Sequence, residues 1–244
     1  MAVVFTQPLA YTQPTDPNYS DTFVLFENST RLSDQATVFR AFDKYDRVIF
    51  NKLVDEGAIL GFGHMAHVWG DEYNHNVYVV AENKQTFFTA IDRYASELYE
   101  MVGSEEIADL QAKVLKHKDN IYTHTAYYYN EAARGRNIVM RNLNNVSFAN
   151  QAEWVRLFRE YCYPILKEMV DAGTINAFGL LLHDFGDEWN TNYYILANNL
   201  PSFNSAWGEF ISTLNERHPN VLPQLVDMTD AHKDNLLNQR VPAP

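Results

Sequence analysis

The segment Leu53 to Asn83, LVDEGAILGFGHMAHVWGDEYNHNVYVVAEN, returns without a gap as Met169 to Asn199, MVDAGTINAFGLLLHDFGDEWNTNYYILANN, at an offset of 116 residues. Fifteen of these 31 aligned positions are identical, where composition alone gives about one in twenty. The offset extends outward: Phe42 meets Phe158, Tyr45 meets Tyr161, Ile49 meets Ile165, Phe87 meets Phe203 and Leu98 meets Leu214. After one deletion His117-Lys118-Asp119-Asn120 returns as His232-Lys233-Asp234-Asn235. A period this long is that of a duplicated domain rather than a solenoid. The expected division is an extended leader over 1–20, rich in Pro, Gln and Thr, then repeats over 21–132 and 133–244.

Each repeat reads as one series of elements. In the first, Asp21 to Glu27 is β-branched and aromatic and suits a strand. A helix follows, with Ser33 or Asp34 placed to cap it, an apolar stripe through Val38, Phe42, Tyr45, Ile49 and Leu53, and Gly57 just past its end. Ala58 to Trp69 and Asn76 to Ala81 form a hairpin about a turn rich in Asp and Asn. A second helix spans Lys84 to Val102, a short third spans Glu105 to Leu115, and a last strand spans Ile121 to Tyr128. The second repeat follows with a strand at Asn137 to Leu143, a helix at Gln151 to Ala172 expected to kink at Pro164, and a hairpin at Thr174 to Phe185 and Asn192 to Ala197. Helices at Ser202 to Glu216 and Val221 to Asp230 and a strand at Asn235 to Arg240 complete it.

The order βαββαβ with a central hairpin is the split βαβ, or ferredoxin-like, arrangement, an antiparallel sheet with its long helices on one face. The other face must be buried, and a tandem copy supplies a second sheet to bury it. The fold class is therefore α+β, with two ferredoxin-like units whose antiparallel sheets pack face to face as an intrachain pseudo-dimer. In element order and duplication the chain resembles the dimeric α+β barrel superfamily. That superfamily includes antibiotic-biosynthesis-type monooxygenases, stress-responsive barrel proteins and tandem chlorite dismutase-like haem proteins. The resemblance implies a small-molecule binder or cofactor-independent enzyme; a non-enzymatic assembly protein and a haem protein are the alternatives it leaves open.

Composition narrows the partners. With 19 Lys and Arg against 31 Asp and Glu, the formal charge of −12 argues against nucleic acid or an anionic membrane surface as partner. The single Cys162 forbids an intrachain disulfide and, between Tyr161 and Tyr163, reads as a packed thiol. No apolar run is long enough to span a bilayer, so a soluble protein is expected, either cytoplasmic or secreted or periplasmic after loss of a signal peptide. Self-association into a homo-oligomer stays open.

The candidate site is the block kept in both copies, His67-x-Trp69-Gly70-Asp71-Glu72-Tyr73-Asn74-x-Asn76-x-Tyr78 and His183-x-Phe185-Gly186-Asp187-Glu188-Trp189-Asn190-x-Asn192-x-Tyr194. His67 and His183 are the candidate proton-transfer groups, and Trp69, Phe185, Tyr78, Tyr194, Asp71 and Asp187 the candidate walls of a pocket for a small organic ligand. Strand parity puts Met65, His67 and Trp69 on one face and Phe62, His64, Ala66 and Val68 on the other. Each histidine is thus within reach of a tyrosine on the neighbouring strand, a core polar pair if no cavity adjoins it. The block's Gly, Asp and Asn residues are also good turn chemistry in their own right. His64 and His67 fall on opposite faces and do not chelate, so no metal site is expected, and no cofactor; haem is the least unlikely exception. The two HKDN tetrapeptides read as connectors between helix and strand.

Overall fold

The computed structural model describes residues 21–130 and 137–241. The leader expected over 1–20, and most of the junction between the repeats, lie outside the described residues. In the first repeat β1 (Asp21–Thr30) leads to α1 (Leu32–Ala41), a π-helical turn (Phe42–Asp46) and α2 (Arg47–Asp55). The hairpin β2 (Gly61–Trp69) and β3 (His75–Ala81), α3 (Lys84–Val102), α4 (Ser104–Gln111) and β4 (Val114–Tyr129) follow. The second repeat gives β5 (Ile138–Val146), α5 (Phe148–Leu157), a π turn (Phe158–Cys162), α6 (Tyr163–Asp171), β6 (Ala177–Phe185), β7 (Thr191–Ala197), α7 (Leu200–Arg217), α8 (Val221–Asp227) and β8 (Thr229–Val241). Both hairpins begin and end 116 residues apart, so the repeat seen in the sequence is a repeat of structure.

Each repeat has the ferredoxin-like strand order, β4-β1-β3-β2 and β8-β5-β7-β6, and the eight strands close into one barrel, β1-β3-β2-β8-β5-β7-β6-β4. Closure depends on the length of β4 and β8. Both begin earlier than strand propensity suggests, at Val114 and Thr229, because their first residues pair with β1 and β5. Their later residues reach the other sheet: Ile121 to Tyr129 of β4 pair with β6 and Leu236 to Val241 of β8 with β2, while Ile121–His124 and Leu236–Asn238 keep their pairing with β1 and β5. The facing sheets are thereby zipped together along both borders, which leaves no unpaired edge strand among the described residues. The HKDN tetrapeptides accordingly lie inside strands and are not connectors.

The described residues form three cores. One lies inside the barrel, built on Phe23, Leu25, Met65, Tyr78, Tyr122, Val139, Leu181 and Leu237. The other two lie between the outer sheet face and the helices of each repeat, on Phe42, Ile49, Phe62 and Phe87 in the first and Phe158, Ile165, Phe178 and Phe203 in the second. Local chemistry differs from expectation at two helices. The first helix starts at Leu32 with Arg31 as an N-cap that lacks a side-chain bond, so Ser33 sits inside the helix; the side-chain caps are Asn83 and Asn199, which accept from Thr86 N and Ser202 N. The expected break at Pro164 is instead a π turn just before it, and the first repeat has the same turn without a proline. Pro164 follows that turn, at the start of α6.

Candidate functional site

The repeated block is built first of all as a hairpin. Asn74 accepts from Thr30 N at 3.0 Å and donates to Thr30 O at 2.8 Å, and Asn190 does the same with Val146. Asp71 and Asp187 accept from the N–H groups of Tyr73 and Trp189 two residues on, and Asn76 and Asn192 donate to the carbonyls of the same two residues. The turns are then pinned by the other repeat. Asn120 accepts from Asp187 N and Asn235 from Asp71 N, at 2.9 and 3.0 Å. Lys118 and Lys233 pair with Asp187 and Asp71 while lying over the rings of Tyr73 and Trp189. Burial pushes the Asp71 carboxyl up, but Asn235, Lys233 and the turn N–H outweigh it and hold it below the usual carboxylate range. The aspartates taken as pocket residues are therefore tied into a reciprocal lock whose other half is the Lys and Asn of each HKDN motif, with Asn120 and Asn235 both buried.

The expected histidine–tyrosine pairs are not formed, and the strand pairing shifts register between His67 and Trp69 and between His183 and Phe185. Tyr78 accepts from Gln239 Nε2 at 3.1 Å, and Tyr194 bonds His124 Nε2 at 3.1 Å, with His124 Nδ1 in turn on Asp21 at 3.1 Å. The tyrosine rings lie over Gly63 and Gly179, where a Cβ would come within 2.3 and 2.5 Å of them. Neither hydroxyl bonds His67 or His183, whose Nε2 atoms are buried without a partner. Trp69 and Phe185 stand at the strand ends, 77% and 64% exposed.

A cavity of about 380 Å³ lies on the outer side of the second repeat's sheet, between α5, α7, α8 and the strands. Its walls are Trp154, Phe158, Tyr193, Trp207 and Phe210, in ring contact along the series, with Trp154 stacked on Phe158 at 5.7 Å and Tyr193 on Trp207 at 6.5 Å. One edge is polar: Asn144 donates to Asn142 at 2.6 Å, Asn142 donates to Asp234 at 2.8 Å, and His232 Nε2 meets the other Asp234 oxygen at 3.2 Å. The indole N–H of Trp154 is buried and unpartnered. Cys162 is also on the wall, and burial pushes its thiol up to about 12, so it is not a nucleophile. Trp207, Phe210, Ile211 and Leu214 belong to a helical stripe that from sequence is indistinguishable from ordinary core.

The equivalent groove of the first repeat has other contents. Val38, Val77 and Ile91 stand where Trp154, Tyr193 and Trp207 line the cavity, and Tyr94 bonds Asp46 where the second repeat has Phe210 and Cys162. Nearby, His64 and His75 pack edge to face at 4.8 Å beneath Phe39 and Phe42. Burial holds their pKa values down to about 2 and about 4, so both are neutral. Among the described residues no group of three or more His, Cys, Asp and Glu could hold a metal ion. The aromatic cavity does not suit an axially ligated haem either: none of its helix residues is a histidine, and Nε2 of His232 on β8 is taken by Asp234. No described helix is long and apolar enough to cross a membrane.

No protein-family model matches the chain, and no curated protein matches it in sequence. Solved structures do match. One named as an anthrone oxidase-like protein covers 91% of this chain and 91% of its own, with a TM-score of 0.57 and 9% identity. The chain has the dimeric α+β barrel fold. Two further proteins, each provisionally named a monooxygenase, share it: one from Lactobacillus acidophilus covers 91% of this chain and 95% of its own at TM-score 0.55 and 11% identity. The other, from Fusobacterium nucleatum, covers 92% and 94% at the same score and identity. At such identities an α+β barrel fold is what the chains have in common.

Proposed function

We propose that this α+β barrel binds a small, largely planar aromatic molecule bearing a polar substituent, in the groove of its second repeat. The observation that carries the reading is the cavity itself, whose 380 Å³ falls in the range of about 300 to 1,000 Å³ typical of small-molecule sites. Stacked aromatic walls favour a flat apolar body, and the Asn144–Asn142–Asp234–His232 chain meets a hydroxyl or carbonyl at one edge. Turnover is the second reading, favoured by a carboxylate-bound imidazole beside the cavity, which makes His232 a proton acceptor for a phenolic or enolic ligand. Proteins of this fold named as monooxygenases and as anthrone oxidase-like make anthrone a sensible first substrate to try. One chain suffices for the site, with or without self-association.

Two of the four tryptophans line the cavity, so binding has an optical readout. Titration with 1-naphthol and anthrone is expected to quench the emission saturably, at one site per chain. Ile211→Phe, which fills the cavity from its wall, abolishes the quench while melting as the parent does. Equal quenching in parent and filled variant refutes the assignment. Oxygen uptake with anthrone, lost in His232→Ala, separates turnover from binding.

A further inference from the structure

The two repeats provide an internal control at the end of the barrel where the turns fold over. Through the offset, Glu27 corresponds to Leu143, Arg141 to Leu25 and Tyr122 to Leu237. Three fully buried leucines show what the fold asks of these positions, yet their partners are a carboxylate, a guanidinium and a phenol, all buried. Arg141 on β5 reaches across the lumen to Glu27 on β1, four strands away in either direction round the barrel, with Nη1 at 2.9 Å from Oε1. The Glu27 oxygens are satisfied: Arg141 takes one, and Asn120 at 2.9 Å and Lys118 at 3.3 Å share the other.

The groups around that carboxylate are not satisfied. Arg141 Nη2, the Tyr122 hydroxyl and His183 Nε2 are all buried and without a partner. They project from β5, β4 and β6; Tyr122 and His183 are register partners with ring centroids 5.9 Å apart, and the Arg141 guanidinium lies beside the phenol. Buried polar atoms are almost always paired, and one arm of a buried guanidinium left idle is costly. A guanidinium N–H and a phenolic O–H donate, and the imidazole nitrogen donates in one of its tautomers, so a single small acceptor among them would serve all three. The middle of the lumen is filled by Phe23, Leu25, Met65 and Tyr78, which limits the acceptor to a few atoms.

We infer that this end of the barrel binds a small oxyanion of the carboxylate class, held by Arg141 Nη2, the Tyr122 hydroxyl and His183 Nε2. The site lies inside the barrel and the aromatic groove outside it, so the two stand or fall separately. It also gives the repeated histidine a role that differs between the copies, since His67 faces Leu237 where His183 faces Tyr122.

The test is thermal melting of the full chain in sodium formate, acetate, nitrate or phosphate against sodium chloride at matched ionic strength. A saturable rise in Tm with formate or acetate is expected. It disappears in Tyr122→Phe, which keeps the ring, and in the charge-neutral double variant Glu27→Leu with Arg141→Leu, which copies the leucine end. It persists in Ile211→Phe. Equal melting in all salts overturns the inference, as does a rise that survives in both lumen variants. A crystal structure in acetate with a lone water bridging the three groups also overturns it.

Discussion

Asn235 and Asp71, 164 residues apart, exchange two hydrogen bonds: the amide oxygen accepts from Asp71 N at 3.0 Å and the amide nitrogen donates to Asp71 Oδ2 at 2.8 Å. Asn120 repeats the arrangement on Asp187 and adds a bond to Glu27. Leaving such buried partners unmade costs about 1 to 3 kcal/mol each. Asn235→Ala is therefore expected to lower unfolding stability by about 2 kcal/mol, and Asn120→Ala by more, since it also exposes Glu27 to loss of a donor. Urea unfolding of the two variants checks both the size and the order.

Gly186 and Gly208 are expected to respond to alanine with opposite signs. Gly186 has φ +139°, and a Cβ there would lie 2.0 Å from Asn120 Oδ1 and 3.0 Å from the Asp119 carbonyl, so Gly186→Ala both strains the turn and breaks the lock. A loss of at least about 2 kcal/mol is expected. Gly208 lies in α7 with open space around it, and Gly208→Ala should gain about 0.5 to 1 kcal/mol. Denaturation midpoints of the two variants settle the contrast.

Asp46 gives the fold a pH dependence of definite sign. Burial raises its carboxyl to about 6 despite the bond from Tyr94, so the folded state prefers the protonated acid. The associated stability is whole below the unfolded value near 4 and is lost as pH rises through 6. Allowing for partial exposure, the loss is about 2 kcal/mol. Asp46→Asn removes it, and the stability difference between variant and parent should grow from pH 4 to pH 7 and then stay constant. A difference that is flat across that range contradicts the assignment.

Cys162 should be inert to thiol reagents in the native state at pH 8, because its thiol titrates far above that pH and its sulfur is buried. Complete reaction is expected only in denaturant. Rapid native-state labelling would show that the cavity wall opens.

How much was legible in the sequence follows from the range of the interactions. The hairpins could be read because Gly, Asp and Asn act on their own neighbours, and the two copies vouch for each other. The lock could not: Asn120 and Asn235 act on partners in the other repeat, and within their own stretch HKDN has the composition of a connector. Parity puts His67 and Trp69 on one face, but a bulge in the pairing with β8 falls between them, and Trp69 stands exposed at the strand end. The π turns explain why Pro164 misled, since the distortion belongs to the repeat and precedes the proline. The aromatic cavity was hidden among helix and strand residues that a core would also use, and only its missing filling distinguishes it.

The Glu27–Arg141 bond also bears on how such a barrel arose. In an assembly of two separate identical chains every substitution appears twice, so a glutamate at position 27 would bring a second in place of Leu143, and an arginine at 141 a second in place of Leu25. Four charges would crowd one end of the lumen. Joining the copies lifts that constraint, and a single carboxylate can face a single guanidinium. Fusion thus made the halves free to specialise: one outer groove keeps an aromatic cavity, the other holds Tyr94 and Asp46, and the molecule behaves as an obligate heterodimer written on one gene.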